Sequence, residues 1–244
     1  MARNPHKAAL TRRFVGDVKE WNPALADSLL RTALTMKIGE LEEAVGGLSK
    51  PDKMPCNAFN LPAISTCKVG SILARKEGTV CFECYATKGR YVFQECIDAQ
   101  ERRLSSLDSN PEQWAACMAA LLRKKRGKRA THFRWHDSGE VRGPNHRDIL
   151  IWVAENAPDV KFWLPSREYA TWKGTEERIP DNLCVRLSAH MVGVKPPAIE
   201  GFPTSTVGWT EAPAHCPAPS QGGRCEDCRR CWDKSFVNVD YFPH

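Results

Sequence analysis

The sequence predicts an α/β protein, a complete or partial (β/α) barrel favoured over an open sheet, and three observations carry that expectation. Strand-like and helical segments alternate from Thr131 to Val207 at the spacing of parallel βαβ units. The strands alternate polar and apolar residues, where strands covered on both faces would be apolar throughout. Charged side chains gather just past the strand ends, where parallel α/β folds build their sites.

Taken in order, residues 1–50 form an N-terminal helical segment, with Leu29, Leu30, Ala33, Leu34, Ile38 and Leu41 at roughly helical spacing. From Ser49 to about Gly89 prolines and glycines interrupt any period and four cysteines are embedded, which points to a loop-built site. Helices follow around Tyr91–Ser106 and from Asn110-Pro111, where Gln113 is placed for a capping box. Then come a strand at Thr131–His136, a helix at Pro144–Ala157 stopped by Pro158, and a strand at Val160–Leu164. A short helix near Tyr169–Glu177 precedes strands at Leu183–Ser188 and Ser205–Val207. One α/β domain over residues 51–244, ending in a cysteine-rich metal-binding tail at 208–244, accounts for the chain, and 244 residues are ample to bury a core.

Within the strands, Phe133 and Trp135 share one face and Arg134 and His136 the other; Leu183, Val185 and Leu187 oppose Cys184, Arg186 and Ser188. A face bearing arginine inside a covered sheet needs counter-charges or a ligand. The strand ends read Arg134-Trp-His-Asp-Ser-Gly-Glu140, Trp163-Leu-Pro-Ser-Arg-Glu168 and Arg186-Leu-Ser-Ala-His190. Arg134, His136, Asp137, Glu140, Arg167 and Arg186 are the candidate catalytic residues around a polar cavity suited to an anionic small molecule. His136, flanked by a carboxylate, is the candidate proton-transfer group. The plainer alternative is that these carboxylates pair with the arginines and cap helices.

Four cysteines near the C-terminus dominate the chain. Cys225, Cys228 and Cys231 fall at three-residue intervals, and Cys216 lies beyond a turn-forming Pro- and Gly-rich stretch that can fold it back. Three thiolates so spaced suit a 4Fe-4S cube, with Cys216 as the fourth; tetrahedral zinc is the alternative. A second candidate group is Cys56, Cys67, Cys81 and Cys84, of which only Cys81-Phe-Glu-Cys84 has close ligand spacing. A redox dithiol is the lesser reading there, and a site mixing these with the tail stays open. Cys96 and Cys117 fall on apolar helix stripes and read as core.

Eleven cysteines, with no secretory signal or membrane-length apolar run, point to the cytoplasm, where thiols stay reduced and ligate metals. The formal charge of +6 suggests acidic partners, but two four-thiolate clusters would lower it to about +2. The densest basic run, Arg123-Lys-Lys-Arg-Gly-Lys-Arg129, is either a solvated helix end or a phosphate-binding patch for nucleic acid.

With these residues in hand, the chain resembles the phage gene-product-88-like family over most of residues 54–244. The likeness rests on Lys53-Met-Pro-Cys56, Leu61-Pro-Ala-Ile, Cys81-Phe-Glu-Cys-Tyr-Ala86, Phe133-Arg-Trp-His-Asp-Ser-Gly139, Phe162-Trp-Leu-Pro-Ser-Arg-Glu168 and the Cys225–Trp232 run. It implies a viral or prophage origin, hence the host cytoplasm, and an iron-sulfur, barrel-like protein with a redox or catalytic role. A looser similarity is to radical-SAM enzymes, which use a partial or full (β/α) barrel, an iron-sulfur cluster near its first strand and a glycine-glutamate motif after the second. Cys81-x-x-Cys84-Tyr85 and Ser138-Gly-Glu140 resemble those motifs, but thirteen residues separate Cys67 from Cys81, where that family has three. That similarity implies S-adenosylmethionine as cosubstrate. A metal-stabilised nucleic-acid-binding protein is the expectation of a different class.

Overall fold

The computed structural model describes residues 5–243. Its centre is one six-stranded, all-parallel sheet of β1 (Asn57–Phe59), β2 (His132–Trp135), β3 (Lys161–Ser166), β4 (Leu183–Ser188), β5 (Thr204–Val207) and β6 (Asn238–Tyr241). The strands lie side by side in sequence order. β1 and β6 are the two margins, so the sheet stays open: the α/β class is as expected, and of the complete or partial barrel the complete one does not form. Each margin is covered by a single bridge: Ser49 pairs with Ala58 beside β1, and His215 with Asp240 beside β6.

The helices are α1 (Pro5–Ala9), α2 (Pro23–Ala33), α3 (Ile38–Ala44), α4 (Lys68–Leu73), α5 (Gln94–Ser109), α6 (Pro111–Lys124), α7 (Pro144–Glu155) and α8 (Tyr169–Trp172). Local sequence dictates several of their starts. Asn110 accepts from the Gln113 amide (2.9 Å) and Pro111 supplies the first turn of α6; Asn22 and Pro23 repeat the device at α2. α7 has only Gly143 before Pro144, and its first amides are capped from a distance. Asp17 accepts from the backbone of Asn145 (2.9 Å) and His146 (3.2 Å). A β-carbon on Gly143 would fall 2.5 Å from the Asp17 carboxyl, so only glycine admits this cap.

One face of the sheet packs on the helices. Phe59, Phe133, Trp135, Phe162, Leu164, Val185 and Leu187 meet Trp114, Met118 and Leu121 of α6 and Ile149 and Val153 of α7, all fully buried. Trp135 and Phe162 stack across neighbouring strands (5.8 Å, 8°). Ala26, Leu30, Ala33 and Leu41 of α2 and α3 lie in the same cluster, so the N-terminal helical segment is part of this core. Cys117 is buried there as expected, while Cys96 is half-buried.

Strand alternation turns Arg134, Trp163, Cys184, Arg186 and Tyr241 to the opposite face. The long connection from β5 to β6 holds no α-helix and lays Cys231 and Trp232 on that face, against Trp163, Met54 and Cys56. Trp163 lies 5.3 Å from Trp232 and 6.5 Å from Tyr241, ring centre to ring centre. β3 and β6 are three strands apart, about 14 Å in a flat sheet, so these side chains converge across a rolled, concave face. No helix of the described residues is long and apolar enough to cross a membrane.

Candidate metal centres and the strand-end site

The eleven cysteines are all free thiols, and they divide differently from the sequence spacing. Cys56 immediately precedes β1 and packs with Cys225 and Cys231 of the tail, whereas Cys67, Cys81 and Cys84 follow β1. The expected quartet is therefore split by the short strand it spans, leaving three thiols at one end of β1 and five at the other.

The trio is held by the α4 turn. Gly70 sits between Cys67 and Cys81: a β-carbon there would lie 3.8 Å from the Cys67 sulfur, 3.6 Å from the Cys81 sulfur and 3.0 Å from the Cys67 β-carbon. Burial raises all three thiol pKa values; Glu140 and the other two thiols add to the rise at Cys67. Arg167 pulls the Cys81 and Cys84 values back. The Val80 amide donates to the His190 carbonyl beyond β4 (2.9 Å), pinning this loop across the strand ends.

Around the trio stand the β2 and β3 ends. Glu140 is buried and accepts from the amides of Arg167 (2.9 Å) and Val141 (2.8 Å). Burial and the neighbouring Glu168 carry its pKa up to about 7 despite those amides. Glu168 accepts from the Val69 amide (2.7 Å) at the start of α4. Asp137 accepts from Tyr91 (3.2 Å) and Asn60 (3.3 Å), while the Tyr85 hydroxyl donates to its carbonyl. Gly139 makes the turn possible. At φ +79° a β-carbon would meet Leu61 Cβ at 2.6 Å and Thr66 Oγ1 at 2.7 Å.

Two expected members of this site lie elsewhere. His136 has φ +55°, which ends the strand alternation and sends its ring to the helix side, 5.2 Å from His146. Burial and then Arg134 and Arg142 lower its pKa to about 3, and neither ring nitrogen has a partner among the described residues. It stays neutral, in a poor place to exchange protons with a substrate. Arg186 is fully buried and spends its guanidinium on backbone. Nη1 donates to the Thr204 and Phe236 carbonyls (2.9 and 2.8 Å), Nη2 to those of Arg230 and Asp233 (3.1 and 2.9 Å). It fastens the cysteine-rich tail to the sheet, and no atom of it is offered to a ligand through those four bonds.

In the tail, Cys231 is buried beside the Tyr241 hydroxyl (3.1 Å), and burial pushes its thiol up to about 12, Tyr241 and Arg186 opposing and Cys216 and Cys225 adding. Cys216 and Cys228 raise Cys225, after burial. Burial likewise takes Cys56 to about 12, against Arg134 and Arg129, with Cys225 adding. Among the described residues no three His, Cys, Asp or Glu side chains converge tightly enough to hold a single metal ion. A 4Fe-4S cube takes its thiolates on separate irons and spreads them wider than a tetrahedral ion does.

The donor set fits an anionic inorganic core. Arg134 and Arg167 make no salt bridge with a carboxylate among the described residues, and each has a buried Nε without a hydrogen-bond partner there. Both are half-buried cations, and Asp137 near Arg134 and Glu140 near Arg167 supply part of the compensating charge. By contrast, four of the six cations in the Arg123–Arg129 run are committed within the chain. Lys124 donates to the Met36 carbonyl, Lys125 pairs with Glu42, Arg126 folds onto its own loop and Arg129 holds the Pro51 and Cys56 carbonyls. A cavity lined by Asp17, Asp108 and Arg142 opens on the helix side, away from the thiols. Its charges answer one another, Arg142 binding Asp108 and the Gly16 and Asp17 carbonyls.

No curated protein and no solved structure matches this chain. The model of the Gene product 88 family matches residues 28–234, a span that takes in β1 to β5, both thiol groups and Arg186. The chain belongs to the Gene product 88 family of phage proteins.

Proposed function

We propose that this chain is a two-centre iron-sulfur enzyme on an incomplete (β/α) barrel, in which Cys67, Cys81 and Cys84 hold a 4Fe-4S cluster by three of its irons. The fourth iron is left for a ligand, and S-adenosylmethionine suits it. The tail cysteines Cys216, Cys225, Cys228 and Cys231 hold a second, fully ligated cluster. The observation that carries this reading is the departure of Cys56 to the tail side of β1, which leaves three thiols, and not four, beside Glu140 at the strand ends. Sequential parallel strands with that trio after β1 and Ser138-Gly-Glu140 after β2 support it further.

Held by Cys67, Cys81 and Cys84, such a cluster would supply one-electron reduction, drawn from an external reductant, to a sulfonium cosubstrate. The chain's own residues do the rest. Glu140, locked by two amides, presents a carboxyl to an ammonium group, and the aromatic and amide packing around Asp137 limits water at the strand ends. Reconstitution under anaerobic conditions with iron and sulfide tests the reading. Two clusters per chain, and 5′-deoxyadenosine formed from S-adenosylmethionine under strong reductant, are the expected results. Cys84→Ala should remove one cluster and the product while leaving the other cluster. Stoichiometric zinc in place of iron, or loss of both clusters from that single change, contradicts the reading. The nucleic-acid alternative is weakened by the internal engagement of Lys124, Lys125, Arg126 and Arg129.

A further inference from the structure

Between the two thiol groups lie polar atoms that the fold buries without satisfying. Arg134 crosses the Trp163 ring, its guanidinium carbon 4.6 Å from the ring centre, with Nη1 against the Met54 sulfur (3.3 Å). Arg134 Nε and Trp163 Nε1 are both buried, and neither has a partner among the described residues. Arg167, at the end of β3, likewise has a buried Nε without a partner there. Strand alternation puts Trp163 and Pro165 on the face that carries Arg134, and Arg167 continues it just past the end of β3; both guanidinium charges act on Tyr85. All three orphaned atoms are donors. A buried donor left unmet costs about 1–3 kcal/mol, and more when it is charged, so three together call for an acceptor that the chain does not provide.

We infer that Arg134, Arg167 and the Trp163 indole form an anion-binding site that takes the carboxylate or phosphate group of a small-molecule substrate and presents that molecule to the strand-end trio. An oxyanion matches the donors: a guanidinium fork grips two oxygens at once, and the indole N–H adds a third bond. Trp163 beneath Arg134 holds the guanidinium over its ring. Asp137 is buried nearby with Oδ1 unpartnered among the described residues, which disfavours a second anionic group there and favours a cationic or hydroxyl-bearing one. The inference deepens the iron-sulfur reading by naming the substrate class of its site, and depends on that reading only for what the bound molecule meets.

The test is calorimetric titration of the anaerobically reconstituted full-length protein with succinate and, separately, inorganic phosphate at low ionic strength, with iron content and visible spectrum recorded on the same samples. Saturable binding of one of these anions, weakened roughly 10- to 100-fold in Arg134→Gln and in Arg167→Gln, is the expected result. Arg134→Lys, which keeps the charge and loses the fork, should fall between, and Arg31→Gln on the exposed face of α2 should bind like the wild type. The stronger of the two probes identifies the oxyanion. Binding that both glutamine variants retain in full, or no saturable binding of either anion at millimolar concentration, overturns the inference. So does a shift in the cluster spectrum of Arg134→Gln with anion affinity unchanged, since Arg134 then serves the metal centre alone. An iron-loaded wild type that binds neither anion sinks only the anion site; a protein that binds the anion without ever holding iron sinks only the iron-sulfur reading.

Discussion

Acidification from pH 7 to pH 5 should destabilise this protein through His136, and the amount can be worked from its surroundings. The ring is buried against His146 and held neutral, its pKa lowered from 6.5 to about 3. Between those two values the unfolded chain carries the proton and the folded chain does not. Stability is therefore complete above about pH 6.5 and drains away as the pH falls towards 3. At pH 5 the difference is about 1.5 pH units below the unfolded value, or about 2 kcal/mol from this one side chain. His146, whose pKa burial also lowers with His136 and Arg142 assisting, acts in the same direction. His136→Asn removes the titration while tolerating φ +55°, because asparagine adopts left-handed backbone more readily than most residues. Urea unfolding of both proteins at pH 7 and pH 5 gives four free energies. The stability gap between wild type and variant should shrink by about 2 kcal/mol at the lower pH. A gap of equal size at the two pH values would refute the neutral buried histidine.

Three further perturbations separate the parts of the structure. Gly139→Ala forces a β-carbon to within 2.6 Å of Leu61 at φ +79° and should cost about 2–4 kcal/mol in denaturant unfolding; a cost under about 0.5 kcal/mol contradicts the turn. Arg186→Met strips four backbone carbonyls of their donor and should destabilise by about 3–5 kcal/mol, with limited proteolysis cutting first within residues 208–237; a tail as protected as in the wild type argues against the anchorage. Gly70→Val wedges a branched side chain between the Cys67 and Cys81 sulfurs, so iron analysis after reconstitution should show one cluster fewer with the tail cluster retained, and full iron content would contradict the placement of the trio.

Much of this architecture is legible in the sequence where one local rule decides. The alternation in Leu183–Ser188 gives β4 at its observed bounds, and Asn110, Pro111 and Gln113 mark the start of α6. Short elements escape such rules. β1 has three residues inside a proline- and cysteine-rich stretch, and β6 follows the C-terminal cysteine run with no period of its own. Missing β1 is what obscures the thiol groups, because Cys56 and Cys67 look like neighbours until a strand is drawn between them. His136 misleads for a related reason: its left-handed backbone breaks the alternation one residue after the strand ends. Arg186 reads as a ligand-binding charge because its four acceptors come from residues 18 to 50 positions away in the chain. Backbone carbonyls leave no trace in side-chain pattern, so a guanidinium satisfied by them looks vacant on paper.

The two bridged margins bear on how such a sheet behaves among its own copies. Ser49 trades both backbone bonds with Ala58 (2.8 and 2.9 Å), and the 214–216 segment does the same for Asp240 (2.7 and 2.9 Å). Open parallel sheets with bare flanks invite strand addition and fibrous association. Here each flank already wears a short stretch of its own chain, like a selvedge that stops cloth from unravelling, and the middle of each margin strand is closed to a neighbour's backbone.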